Sequence, residues 1–255
     1  MLVDFNEDVQ KYTNAKGELY SRVTDIVKEH KQPFDRVAVA EAMAKKNKGT
    51  TAQQFLDIWE AKALKGSIRG DLFHERKEQS ILGRGVVVYK NQVVYVQNQD
   101  ILLTQCPDLK LLKDGLYTEL VLWDDTWKIA GRLDVGVIYT KPDGRYVDID
   151  DHKTGETIHT TSHQFRHTKN FKMMQYPVNH MMDCHHSHHE LQLSIYMFIM
   201  ERQGYKPGSM QFTHYGHPDP ITGIEPAPVV YPLTYRKKEV LAMLTNKRKN
   251  ERPIR

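Results

Sequence analysis

Only two cysteines, Cys106 and Cys184, occur in the 255 residues. A pair without a secretory leader reads as two free thiols rather than a disulfide. Two thiols also rule out an iron–sulfur cluster held by four cysteines of this chain. No run approaches the ~18 apolar residues that span a bilayer, so no membrane partner is expected. The start, MLVDFNEDVQKYTNAKGE, has no basic segment followed by an apolar one. That absence gives an expectation of a cytoplasmic protein. Internal repeats are missing too, and the one biased patch is rich in histidine.

What is present is an ordinary globular composition, 40% hydrophobic and 27% charged, enough for a sizeable core. The net charge of +4 permits a nucleic-acid partner without requiring one. The stretch 236–255 carries eight Lys/Arg against Glu239 and Glu251, which reads first as a solvated basic tail.

Periodicity divides the chain. Residues 1–66 read as a helical N-terminal region, with one helix around Val37, Ala40, Met43 and Ala44. A second opens at Thr51 and carries Phe55, Ile58, Trp59 and Ala63. A third starts near Gly70 and places His74 and Glu78 one turn apart on one face. The middle changes to period two. GVVVYKNQVVYVQ predicts two strands around Lys90–Asn91, and hairpin links fall at DDTW and KPDGR. Helix returns in HHELQLSIYMFIMERQG, stopped by Gly204, and two strands follow in GSMQFTHYGH and PAPVVYPLTY. The expected fold is α/β, a central mixed sheet flanked by helices, with a core over 67–235 and a basic tail over 236–255, in one structural domain.

Chemistry concentrates in GRLDVGVIYTKPDGRYVDIDDHKTG. Read as a hairpin, it sets Asp134 on one strand and Asp151 and Lys153 on its partner. Asp151 and Lys153 share a face because side chains alternate, with Cα atoms about 7 Å apart. Two carboxylates and an ammonium on one patch suit a hard divalent cation and phosphodiester hydrolysis. Taken alone, D-x-K reads as a charged cross-strand pair on a surface hairpin. Asp148 and Asp150 should face the opposite way, toward solvent or a basic neighbour.

The surrounding motifs change that balance. G-R-L-D followed by D-H-K-T-G resembles two motifs of the RecB-like branch of the PD-(D/E)XK nucleases. Upstream, Gly70 to Glu78 resembles that branch's helix with a metal-binding His; downstream, Gln192 to Tyr196 resembles its Q-x-x-x-Y helix. The resemblance covers about half the chain, Gly70 to Gly204, and implies a restriction-endonuclease-like core. It implies His74, Asp134, Asp151 and the His152 carbonyl as metal ligands, with Glu119 joining a second metal through water. Lys153 would position the nucleophilic water, with Gln192 and Tyr196 beside it. Implied cofactors are Mg²⁺ or Mn²⁺. The implied partner is DNA, as linear ends or a single strand, in an exonuclease of phage-type recombination, replication or repair working beside phage recombination or replication proteins, in the cytoplasm of a bacterial host cell. The residues leave open a structure-specific or RNA-cleaving endonuclease, and a non-catalytic nucleic-acid-binding protein on a decayed nuclease fold.

His159, His163 and His167, and the group His180, His185, His186, His188 and His189 around Cys184, read as a polar connection rather than a zinc site, for want of a second ligand pair. Phe171 and Tyr176 among Lys169 and Lys172 form a weaker candidate for stacking a single strand.

Overall fold

The computed structural model describes residues 3–6, 11–47, 49–97, 108–165, 168–219 and 221–250. Cys106, His167 and the end of the basic stretch, 251–255, lie outside them.

The chain does not begin with helix. It opens with three short strands, β1 (Val3–Asn6), β2 (Lys11–Asn14) and β3 (Leu19–Arg22), paired antiparallel in order. Four-residue strands carry too few alternations for the period to show against neighbouring helix formers. A short helix α1 (Val23–Glu29) follows directly, and then α2 (Arg36–Lys46), started by the Asp35 side chain accepting from Ala38 N at 3.0 Å.

The two helices expected after Thr51 are one, α3 (Ala52–Leu82). Its start is a reciprocal cap: Gln54 N donates to Thr51 Oγ1 at 3.2 Å, and Thr51 N to Gln54 Oε1 at 2.7 Å. Gly66 and Gly70 mimic a break, at about 1 kcal/mol each relative to Ala. Neither interrupts the hydrogen-bond ladder as a proline would. At 31 residues the helix is about 46 Å long, so a boundary at residue 66 falls in its middle.

The sheet follows the expected period-two segments: β4 (Val86–Tyr89), β5 (Gln92–Gln97), β6 (Gly115–Asp124), β7 (Ile129–Lys141), β8 (Gly144–Lys153), β9 (Lys206–His214) and β10 (Val229–Pro232). Lys90 and Asn91, both at positive φ, make the β4–β5 turn. The ten strands form one mixed sheet.

The long β7 organises it. One edge pairs with β6 from end to end. The other edge pairs with β3 through Ile129 and Ala130, and with β8 from Val135 to Lys141. Between them, Gly131 to Asp134 have no strand on that edge among the described residues, so the sheet forks.

Helix α4 (His185–Arg202) fills the centre, packed on β6, β8 and β9 with α1 and a final helix α5 (Lys237–Asn250) against it. From Leu193 to Met200 every residue is buried, as befits a helix apolar on all sides. Each large side chain there contributes about 1.5–3 kcal/mol by leaving water. Much of the basic stretch is therefore no free tail. Val240, Met243 and Leu244 of α5 are buried at three-to-four spacing, and the Arg248 guanidinium lies 3.9 Å from the Trp127 ring centre.

Candidate functional site at the sheet fork

The β7–β8 ladder ends at Val135 opposite Asp150, which leaves Asp134 facing Asp151 where the strands part. Parallel pairing with β9 continues through Lys153, so both β8 side chains are held on a rigid edge. Glu119 of β6 stands across β7 from the same point, between the pairs Thr118–Val135 and Leu120–Leu133. Its φ of +51° lies in the left-handed region, disfavoured for a residue with a long side chain.

His74 reaches the fork from α3. Its Nδ1 lies 3.4 Å from Asp134 Oδ2 and 3.5 Å from Glu119 Oε1. One donor atom from each of the three lies within 4.8 Å of the others, and this is the one group of that kind among the described residues. Asp151 borders it: its Oδ2 contacts Lys153 Nζ but makes no hydrogen bond of normal geometry, although it is buried. A buried carboxylate oxygen lacking a full set of donors, beside an imidazole and two more carboxylates, is a donor set that a hard divalent cation would satisfy.

The site's electrostatics follow from this crowding. Burial pushes the Asp134 carboxyl well above the ordinary carboxylate range, and the Asp151 charge adds to it. Burial opposes a proton on His74, but the Glu119 hydrogen bond and the Asp134 charge outweigh it and raise its pKa. Lys153 likewise keeps its proton more tightly than usual: burial acts against it, and the Asp151 and Asp134 charges prevail.

Gln192 and Tyr196, one turn apart on α4, line the same cleft, with Gln192 Nε2 3.5 Å from Tyr196 Oη. Gly131 makes room for them. A Cβ there would lie 2.7 Å from Tyr196 Cε1 and 3.1 Å from Val23 Cγ2, so the tyrosine fills the apex of the fork. The cleft has a volume of about 690 Å³. A second cleft of about 650 Å³ runs along another face of α3, floored by Leu64, Ile68 and Leu72, and its one carboxylate is Glu225.

The structure thus brings together His74, Glu119, Asp134, Asp151, Lys153, Gln192 and Tyr196. His152, expected to lend its backbone carbonyl, adjoins the group through its amide, which donates to Asp134 Oδ2 at 2.6 Å; its ring packs against Phe73 and Tyr215 outside the cleft lining. Burial lowers its pKa to about 4, so the ring is neutral. Asp148 and Asp150 turn from the cleft as alternation requires. The first meets Lys90, and the second accepts from Gln211 and Thr213.

Several lining residues escaped the sequence reading. Tyr12 comes from a strand read as helix. The segment Ser21 to Thr24, expected as part of a helical wall along the path of the DNA strand, does line the cleft through Arg22, Val23 and Thr24, with Arg22 on a β-strand rather than a helix. Arg132, two residues before Asp134 on β7, pairs through Nε with Glu119 Oε2 at 2.8 Å; alternation along G-R-L-D was the signal for it.

The histidine patch is occupied locally. His188 Nε2 lies 2.6 Å from Asp183 Oδ1, whose other oxygen pairs with Lys172. His185 Nδ1 lies 3.2 Å from Thr157 O, and Cys184 Sγ lies 3.4 Å from both Ser187 Oγ and Thr160 O. The Lys172 pairing also removes one cation from the strip around Phe171 and Tyr176.

No helix among the described residues is long and apolar enough to cross a membrane. No family model matches the chain, and no curated protein matches it significantly. Among solved structures, the crystal structure of SSO0001 is similar over 92% of this chain and 78% of its own, at 13% identity and a TM-score of 0.34. A likeness that slight carries no argument about fold or function.

Proposed function

We propose that the chain is a divalent-metal-dependent nuclease with a restriction-endonuclease-like, PD-(D/E)XK core of the RecB-like branch, acting as an exonuclease on linear or single-stranded DNA. The observation that carries this reading is convergence. His74 from α3, Glu119 from β6, Asp134 from β7, Asp151 and Lys153 from β8, and Gln192 and Tyr196 from α4 meet at one fork.

His74, Glu119, Asp134 and Asp151 would hold Mg²⁺ or Mn²⁺; the single imidazole among oxygen donors is compatible with Mn²⁺ as well as Mg²⁺. Such an ion supplies a Lewis acid for the phosphate and a more acidic water. Lys153, kept as an ammonium by Asp151 and Asp134, donates hydrogen bonds to the attacking water and to a non-bridging phosphate oxygen. The Gln192 amide, backed by the Tyr196 hydroxyl, limits where that oxygen sits. One wall of the cleft is Asp71, His74, Glu75 and Glu78 of α3, and the other is Arg22, Val23 and Thr24. The choice of an end or a single strand as substrate rests on the resemblance to stand-alone phage-type members of that branch.

The test is incubation with end-labelled linear, covalently closed circular and single-stranded DNA in Mn²⁺, Mg²⁺ or chelator. Linear and single-stranded DNA should be degraded with metal, the closed circle spared, and chelator should stop the reaction. Lys153→Ala should lower the rate by about 100-fold or more. Cutting of the circle would make the enzyme an endonuclease. Binding without cutting in either metal would favour a non-catalytic scaffold, and unchanged cutting by Lys153→Ala would remove the mechanism.

A further inference from the structure

Glu119 has two partners of opposite kinds. Oε1 faces His74 at 3.5 Å, on the side of the donor group, and Oε2 is bonded to Arg132 Nε at 2.8 Å. The carboxylate is 16% exposed and the arginine 47%, so the pair lies at the mouth of the cleft with the acid inward. The strained backbone of Glu119 fits a side chain whose place is fixed from both ends.

In a centre with two divalent ions, the ions sit about 3.5–4 Å apart and the outer one needs carboxylate oxygens of its own. Here the outer oxygen of Glu119 is already taken by a group that carries a permanent positive charge and cannot lose its proton. A second dication there would have to displace a charge-assisted hydrogen bond and then sit beside the guanidinium. Asp134 Oδ2 is committed as well, to the His152 amide and toward His74. The remaining carboxylate, Asp151, is paired with Lys153 at the opposite end. The side chains thus run Lys153, Asp151, Asp134, His74, Glu119, Arg132, with a cation at each end and a single group of metal-donor atoms, from His74, Glu119 and Asp134, between them. Among the described residues the two Nη groups of Arg132 make no further ion pair, which leaves planar donors for a phosphate oxygen.

We propose that Arg132 stands in the place of a second cation, so that the centre binds a single divalent ion and Arg132 positions the phosphate beside it. This rests on the nuclease reading and replaces the expectation that Glu119 joins a second metal.

The test counts Mn²⁺ per chain, by the loss of the free-ion electron paramagnetic resonance signal during titration of the full-length protein without DNA. Wild type and Arg132→Lys should each bind one ion. Arg132→Gln should bind two, and Arg132→Gln with Glu119→Gln should return to no more than one. Arg132 is half-exposed, so its variants should fold, which far-ultraviolet circular dichroism checks. Two ions in wild type, or one in Arg132→Gln, overturns the proposal and leaves the nuclease reading standing. No bound Mn²⁺ in wild type overturns both.

Discussion

Asp148 and Asp151 sit three residues apart on β8, both with side chains 1% exposed, and their surroundings are opposite. Asp148 is fully satisfied. Tyr139 and the Ser209 amide donate to Oδ1 at 3.1 and 2.5 Å, and Tyr89 and Lys90 donate to Oδ2 at 3.0 and 2.6 Å. Burial would raise its pKa, but the Lys90 and Ser209 bonds outweigh it and the carboxyl is more acidic than usual. Asp151 has one ion-pair partner, Lys153, and two carboxylate neighbours whose charges repel it. A buried carboxylate with a complete donor set holds a fold together; one left short of donors among like charges is waiting for something to bind.

This contrast makes the largest expected effect one on stability. Asp148→Ala would strand Lys90 and three further donors, at about 3–5 kcal/mol. Asp151→Ala also breaks a buried ion pair, with Lys153, but it relieves repulsion from the neighbouring carboxylates, so in chelator it should cost clearly less than Asp148→Ala. Urea denaturation of both variants checks this. Equal losses would mean that the two aspartates are alike in kind.

A smaller effect is expected at the apex of the fork. Gly131→Ala puts a methyl group into the Tyr196 ring, and overpacking of this sort costs about 1–3 kcal/mol. Since Tyr196 must move, cleavage should fall along with the thermal midpoint. A variant as stable and active as wild type would show that the tyrosine has slack.

The pH dependence has parts of opposite sign. Asp134 and His74 have raised pKa values, so the folded state binds their protons more tightly than the unfolded chain does. Their contribution is full at low pH. It is lost as pH rises from the ordinary carboxylate value near 4 through the raised value of Asp134, and from about 6.5 through that of His74. Asp148, with its lowered pKa, contributes above about 4 and loses that only as pH falls through its folded value. Burial lowers the pKa of His152 and His188, which adds stability as pH climbs toward 6.5 and opposes this decline. The test is therefore a difference: in chelator, wild type should lose stability relative to Asp134→Asn between about pH 5 and 8. Mn²⁺ must displace the same protons, so its stabilising effect should grow with pH. A difference between wild type and Asp134→Asn that stays constant with pH would contradict the shift assigned to Asp134.

Much of what lines the fork was legible in the sequence. The period-two run from Gly115 to Lys153 located β6, β7 and β8, and the one-residue gap between Asp151 and Lys153 put both on a single face. His74 lay on a recognisable helix, with Gln192 and Tyr196 one turn apart on another. The fork itself was not legible, because it arises from β3 pairing with β7 across more than a hundred residues. No local pattern encodes a pairing that distant, and β1 to β3 are too short to show their own period. That is why Tyr12 was missed as a lining residue. The α5 helix was hidden differently: Lys and Arg dominate its composition, while three apolar residues on one face decide its burial.

The most direct measurement compares cleavage of end-labelled linear DNA in Mn²⁺ by Asp151→Asn and Asp148→Asn at matched concentrations of folded protein. Asp151→Asn should be inactive in Mn²⁺ and Mg²⁺ alike. Asp148→Asn, less stable, should cut at close to the wild-type rate per folded molecule. Cutting by Asp151→Asn at the wild-type rate would contradict the assignment of the sheet fork as the active centre.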